Sequence, residues 1–412
     1  MRAKSARLVE FKLLAYRSCK DAKFQPTANV TAVIGPNGAG KTNLMQGIRL
    51  LSLPIRPYRF QNDEELYASS CSVKANFSVG KKLVRYTASV TYRQNETGRD
   101  EVITLDQKWN FSNFSESKVW IKDDDLHFPS AHQLVRIDPS TNRYIMRYVS
   151  ERRKKPFPDE ILQAYNAVEK LRRGIRYYSA SQFTNPSLSP TSFDVDEDGD
   201  LISESLIRRR LPHTNFIYEL YRLQQVNQKT YDTFLSLVDA RGVGLIDKLK
   251  WSEHKFSNPT YEVRAGGKVV TQKKDRILVI PTVHVGEAQL SFNQLSEGTL
   301  RTLAMIFYIV TDKSELLLME EPEVCVHHGL LKSVIEIIKE YSKRKQIIVS
   351  THSEAVIDNL EPEQVMIVER SLEKGTVVNP ISKVLSRDGY KALKAYLSSA
   401  GTLGEYWRHS GF

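Results

Sequence analysis

The chain has 412 residues, 41% hydrophobic and 26% charged, an ordinary globular composition that excludes a disordered or fibrous protein. Its 59 Lys and Arg against 48 Asp and Glu leave a formal charge of +11, an excess that serves either solubility or a polyanionic partner such as nucleic acid. Cys19, Cys71 and Cys325 have neither metal nor redox spacing, the basic N-terminus carries no leader-like apolar stretch, and no apolar run approaches the roughly 18 residues of a membrane span, so a cytoplasmic protein of two or three domains with no membrane contact is expected.

Arg7–Leu13 alternates polar and apolar residues, the mark of a half-buried strand. Asn29–Ile34 is apolar and β-branched and stops at Gly35 and Pro36, which predicts a buried strand. Helical spacing begins at Asn43 and runs to Leu51. Short alternating runs at Cys71–Val79, Leu83–Tyr92 and Lys118–Ile121 predict antiparallel strands. Asp159–Leu171, Leu206–Arg210 and parts of Asn215–Val238 read as helices. Asn185 to Asp200 is rich in Ser, Pro and Asp and predicts an exposed loop. No heptad pattern persists, so no long coiled coil is expected.

From Leu295 the pattern becomes a helix at Leu300–Val310, a buried strand at Glu315–Met319, an amphipathic helix at Leu330–Tyr341 and a buried strand at Gln346–Ser350. Such alternation implies a parallel sheet with helices on its faces. Because the same architecture brackets both ends, residues 1–53 and 291–412 are expected to form one α/β domain. Residues 54–290 would then be a long α+β insertion of antiparallel strands and helices.

Gly35, four intervening residues, then Gly40, Lys41 and Thr42 fit the phosphate-loop pattern, set between the predicted strand and helix. Backbone N–H groups across Gly35, Asn37, Gly38, Ala39, Gly40 and on to Asn43 would cradle phosphate oxygens, with the helix N-terminus behind them. Lys41 would reach the β- and γ-phosphates of ATP, and Thr42 would hold Mg²⁺. Leu316–Met319 is an apolar strand that delivers Glu320 and Glu321 to its C-terminal end, where open α/β sheets bind ligands. Glu320 is the expected Mg²⁺ ligand and Glu321 the general base for the attacking water. His352 follows the next apolar strand and is placed to hydrogen-bond a γ-phosphate, although a lone histidine is often only a satisfied surface group. Asp194–Gly199 resembles the opening of a calcium loop. Its twelfth position is Ser205 rather than Glu, so a solvated acidic loop is expected instead.

In this order, GPNGAGKTN, LSEGT, LLLMEEPE and VSTHS resemble the ABC-type ATPases of the RecF, SMC and OLD group. The resemblance covers about residues 5–53 and 285–412, while the middle matches weakly. EEPEVCVHHGLL is similar to the EPE-x-x-LHP stretch of OLD-like ATPases, and LEPEQVMIVER and GTLGEYW are similar to their C-terminal segment. The resemblance implies an ABC-type ATPase head with a mixed sheet and helices. It makes Leu295–Thr299 the signature loop, whose Ser296 and Gly298 backbone would bind the γ-phosphate held by the other subunit. A homodimer or higher homo-oligomer with shared ATP sites follows, closed by ATP binding and released by hydrolysis.

OLD-like ATPases often belong to anti-phage systems, and the chain after His352 is too short for the Toprim nuclease of the OLD proteins. A separate nuclease or toxin partner is therefore implied. A RecF-like ATPase that binds duplex DNA in repair is the alternative. The basic groups Arg152, Arg153, Lys154, Lys155 and Arg208, Arg209, Arg210 fit either DNA phosphates or a solvated helix face. A transporter motor fits the EEPE ending poorly. Three departures from the family stand out. Glu320 replaces the usual Asp, Val326 and His328 replace Leu and Pro, and the glutamine loop is not evident, with Gln182 and Gln61 as candidates.

Overall fold

The computed structural model of the protein describes residues 5–52, 70–94, 100–111, 113–114, 126–128, 159–202, 212–264, 268–324, 326, 328–399 and 401–410. The strand expected at Lys118–Ile121, the helix expected at Leu206–Arg210, Gln61 and both Lys/Arg groups lie outside these residues.

The strands are β1 (Ala6–Tyr16), β2 (Cys19–Phe24), β3 (Val30–Ile34), β4 (Cys71–Val79), β5 (Lys82–Gln94), β6 (Asp100–Asn110), β7 (Leu126–Phe128), β8 (Arg176–Ser179), β9 (Phe193–Val195), β10 (Lys248–Arg264), β11 (Lys268–Val285), β12 (Ala288–Leu290), β13 (Leu316–Glu320), β14 (Gln346–Thr351), β15 (Val365–Ser371) and β16 (Gly375–Pro380). The helices that matter below are α1 (Lys41–Arg49), α2 (Asp159–Gly174), α3 (Pro212–Val226), α4 (Gln228–Val238), α5 (Glu297–Thr311) and α6 (His328–Ser342). No helix among the described residues is long and apolar enough to cross a membrane.

The chain divides into two units. The first comprises Met1–Tyr177, Lys313–Glu321 and Ile338–Phe412, and the second comprises Tyr178–Asp312 and Pro322–Ile337. The first is built on a mixed sheet in the order β7-β6-β5-β4-β1-β2-β16-β15-β3-β14-β13-β8, and the chain passes to the second unit within β8. The centre is parallel, with β15, β3, β14 and β13 side by side. Every residue of β3, β13 and β14 is buried, which is why Leu316–Met319, Ile347–Val349 and most of Val30–Ile34 are apolar, while Glu320, Gln346, Ser350 and Thr351 are buried polar residues at the strand ends. The flank is antiparallel and alternates: Cys71, Val73, Ala75, Phe77 and Val79 of β4 are buried with more exposed residues between them. Thus β4, β5, β6 and β7 extend the sheet that carries β3. In α1, Leu44, Met45 and Ile48 recur at helical spacing and join Leu13 and Phe11 in the core, fixing the helix that follows the phosphate loop.

Gln346 ties this sheet together at the start of β14. Its buried amide accepts from Leu8 N at 2.7 Å and donates to Leu8 O at 2.9 Å and Thr27 O at 2.8 Å. A buried amide with its donors and acceptor occupied contributes rather than costs.

The second unit packs aromatic side chains from several elements. Phe216 of α3 meets Phe307 of α5 at 5.3 Å, and Phe234 of α4 meets the same ring at 5.8 Å. Its sheet is a long hairpin of β10 and β11, with β12 and β9 paired to the far edge of β11. Here the exposed loop expected between Asn185 and Asp200 is corrected: β9 lies inside it. Phe193 and Val195 are buried, and Phe193 packs edge-on against Tyr221 at 5.6 Å. Two apolar residues two positions apart suffice for a short paired strand, and the surrounding Ser, Pro and Asp concealed them.

Candidate nucleotide site

The phosphate loop leaves β3 at Gly35 and enters α1 at Lys41. Two of its glycines are required by contact. A Cβ on Gly35 would stand 2.1 Å from the carbonyl oxygen of Val368, and one on Gly40, whose φ is +107°, would stand 2.0 Å from Thr376 Oγ1. The turn closes with Ala39 N donating to Pro36 O at 3.2 Å, and the helix begins with Leu44 N donating to Gly40 O at 2.9 Å. Ala39 is buried, whereas Asn37 and Gly38 are exposed at the tip.

A small polar cluster, to which the sequence assigns no role apart from Asn43, anchors the loop. Thr376 Oγ1 donates to Ala39 O at 3.0 Å and lies 2.7 Å from Ser18 Oγ, which accepts from Asn43 Nδ2 at 2.7 Å. Neighbouring Cys19 is buried, and burial pushes its thiol pKa up.

Lys41 is 7% exposed, and its ammonium donates to the carbonyls of Gly35 at 3.0 Å and Pro36 at 3.2 Å. The loop's own backbone thus holds the cation at the loop. Thr42, one residue on, donates its hydroxyl hydrogen bond to Glu320 Oε1, while Tyr177 Oη donates to Glu320 Oε2. The Arg49 guanidinium lies 4.7 Å from the centre of the Tyr177 ring. Glu320 is 9% exposed, and both of its oxygens are engaged. Nothing local in the sequence marks Tyr177.

Glu321 has φ +45°, the left-handed region that a non-glycine residue enters at a cost of about 1–3 kcal/mol. Its backbone N donates to Ser350 O at 2.9 Å, which fixes the strand end and the turn. The carboxylate is 40% exposed and lies 3.7 Å from His352 Nε2. The turn therefore directs Glu320 inward to Thr42 and leaves Glu321 open beside His352.

Ser296 and Gly298 lie in the second unit at the start of α5. Ser296 caps that helix, accepting from Thr299 N at 3.1 Å, and Gly298 is in its first turn. The loop does open a helix, whose unpaired N–H groups suit an anion. Gln182 is exposed in the short 3-10 turn Ala180–Phe183 that follows β8. Val326 and His328 lie just before and at the start of α6.

The donor set fits Mg-ATP. A hydroxyl and a carboxylate already in contact at a helix N-terminus are hard oxygen ligands of the kind Mg²⁺ takes alongside phosphate oxygens. The loop N–H groups and Lys41 supply the matching charge for the phosphates.

A family model described as "AAA domain, putative AbiEii toxin, Type IV TA system" matches residues 30–358. The chain is 25% identical over 171 residues to the "DNA replication and repair protein RecF" of Chlorobium phaeobacteroides, a match covering 38% of this chain and 42% of that protein. It is 20% identical over 431 aligned positions to the "Retron Vc95 probable ATPase" of Vibrio cholerae, covering 96% of this chain and 80% of that protein. Among solved structures, an SMC head domain from Thermotoga maritima matches 91% of this chain and 98% of its own at 13% identity and TM-score 0.40. An SMC head with an extended coiled coil, bound to the C-terminal domain of ScpA derived from Pyrococcus furiosus, matches 95% and 99% at 15% identity and TM-score 0.45.

Proposed function

The chain belongs to the AAA-domain family with that description, and from this premise we propose that it is an ABC-type ATPase that hydrolyses Mg-ATP at a site shared between two copies. What supports this most is the meeting of Thr42 and Glu320, 278 positions apart, at the end of a phosphate loop. Lys41 and the loop N–H groups bind the β- and γ-phosphates. Thr42 and Glu320 are the residues that would hold Mg²⁺, which when bound would supply charge neutralisation for the phosphate oxygens. Glu321 accepts a proton as the water oxygen bonds to the γ-phosphorus and the bond to the β-phosphate bridging oxygen breaks, releasing ADP and phosphate. His352 donates to a γ-phosphate oxygen and orients Glu321. Ser296 and the Gly298 N–H of a second copy complete the γ-phosphate contacts.

In this reading residues 1–53 and 291–412 form the ATPase head, residues 54–290 are the insertion, and the work is ATP-gated defence against phage in the cytoplasm. The ATPase gates a separate nuclease or toxin. Similarity to the retron ATPase along nearly the whole chain supports that role. The RecF match supports a second reading, a duplex-DNA-binding ATPase in repair.

The test has two parts. Light scattering of the Glu321→Gln variant with Mg-ATP should give a dimer that Ser296→Arg prevents, and a monomer with ATP present contradicts the shared site. Cells carrying the gene with its neighbours should resist phage and lose resistance with Lys41→Ala. Equal plating of the two strains contradicts the defence role.

A further inference from the structure

Ser350, on β14 just before Thr351 and His352, is a buried hydroxyl without a partner. It is 0% exposed, and its Oγ makes no hydrogen bond among the described residues. Other hydroxyls of the parallel centre are served. Thr31 Oγ1 accepts from Thr27 N at 2.8 Å, and Thr351 Oγ1 accepts from Ser353 N at 2.9 Å.

The sheet register determines which way Ser350 faces. β14 pairs in parallel with β13 through Glu320↔Ser350 and with β3 through Ser350↔Val33. Directly paired residues of neighbouring strands share a face, as do residues two apart on one strand. Leu316 and Leu318 of β13, Ile348 of β14 and Val33 of β3 all lie in one core with Leu44, Met45 and Ile48 of α1. Glu320 and Ser350 continue those columns one pleat further on, so they too face α1, at the end of the sheet where the phosphate loop enters that helix. Neighbouring strands are about 4.8 Å apart. The Ser350 hydroxyl and the Glu320 side chain therefore stand side by side at the first turn of α1, where Glu320 meets Thr42.

Space alone does not account for a serine here. Alanine would fill the position and leave no buried hydroxyl to desolvate, a cost that falls on stability. The Glu320 carboxylate accepts from Thr42 and from Tyr177. An ionised carboxylate has about four lone-pair sites, so it can take a further donor. Carboxylates that hold a metal are commonly fixed by hydrogen bonds from residues that never touch the ion.

We propose that Ser350 is a positioning residue for Glu320. Its hydroxyl donates to that carboxylate when Glu320 shifts to hold Mg²⁺ beside Thr42. The stability lost in burying an unsatisfied donor is then recovered on binding of Mg-ATP. Ser350 acts on the metal ligand and not on the phosphates, which belong to Lys41 and the loop N–H groups. The inference rests on the Mg-ATP reading above and adds a residue to which that reading gives no part.

The test titrates Mg²⁺ against the full chain with a fluorescent ATP analogue, and measures affinity for the same analogue in EDTA. The wild type, Ser350→Ala and the size-matched pair Ser350→Thr and Ser350→Val are compared. Ser350→Ala should need about 10–100-fold more Mg²⁺ for half-saturation, with its affinity in EDTA unchanged. Ser350→Thr keeps the hydroxyl and should need less Mg²⁺ than Ser350→Val by a similar factor. Without nucleotide, Ser350→Ala should unfold at a temperature no lower than the wild type, since the hydroxyl has no partner to lose. A structural role predicts the reverse: a lowered unfolding temperature with the Mg²⁺ dependence spared. The same Mg²⁺ requirement in Ser350→Ala and the wild type overturns the proposal and leaves the ATP reading intact. An equal loss of affinity in Mg²⁺ and in EDTA does the same. A wild type whose nucleotide binding ignores Mg²⁺ overturns both.

Discussion

Thr42, in the first turn of α1, donates its hydroxyl hydrogen bond to the carboxylate of Glu320 at the end of β13, and Tyr177 holds the other oxygen of that carboxylate. The three side chains come from segments far apart in the chain, yet they fix one oxygen ligand beside the phosphate loop. Thr42→Ala should weaken binding of a fluorescent ATP analogue in saturating Mg²⁺ and leave it unchanged in EDTA. Tyr177→Phe should act in the same direction and more weakly. It removes one charge-assisted hydrogen bond, worth about 1.5–3 kcal/mol at most, without removing a ligand. An equal loss with and without Mg²⁺ would place Thr42 outside the metal's reach.

Glu321 occupies the left-handed region at φ +45°. Replacement by alanine keeps that strain, and replacement by glycine relieves it. The glycine variant should be more stable than the alanine variant by about 1 kcal/mol in urea unfolding, while both lose hydrolysis. Equal stabilities would mean that the turn relaxes once the carboxylate is gone.

Gly40→Ala combines a φ of +107° with a Cβ 2.0 Å from Thr376 Oγ1 and 2.7 Å from Ser18 Oγ. The substitution should destabilise the chain by more than about 2 kcal/mol. Adding Thr376→Ala should recover only the part due to the Thr376 hydroxyl, leaving the contact with Ser18 Oγ and the part due to backbone conformation. Full recovery in thermal unfolding would show that the backbone tolerates the residue.

The parts visible in the sequence are those whose signal is local. β3, β13 and β14 announce themselves because burial on both faces favours runs rich in apolar residues, such as Leu316–Met319 and Ile347–Val349. The phosphate loop does so because its glycines and lysine are consecutive. β9 stayed hidden because Phe193 and Val195 sit among Ser, Pro and Asp, and their burial comes from a strand more than eighty residues away. Tyr177, Ser18 and Thr376 were equally illegible: each is an ordinary polar residue whose place beside Glu320 or Ala39 is set by sheet order. The β10–β11 ribbon escaped notice for a related reason, since its lysines blur the apolar alternation by which strands are read.

Gln346 is the clearest stability test away from the site. Gln346→Leu leaves Leu8 N, Leu8 O and Thr27 O without their buried partner. The loss should be about 2–4 kcal/mol. It should appear in urea unfolding with nucleotide affinity per folded molecule unchanged. A neutral outcome would mean that water replaces the amide.

The most direct measurement is single-turnover hydrolysis of labelled ATP by the wild type, Lys41→Ala and Glu321→Gln, with affinity measured in parallel. The wild type should hydrolyse ATP in Mg²⁺. Lys41→Ala should fail to bind it, because the cation held by the Gly35 and Pro36 carbonyls is gone. Glu321→Gln should bind ATP as the wild type does and turn it over about 10²–10⁴-fold more slowly, the usual contribution of a general base. Equal turnover by Glu321→Gln, or unchanged affinity in Lys41→Ala, would contradict the account.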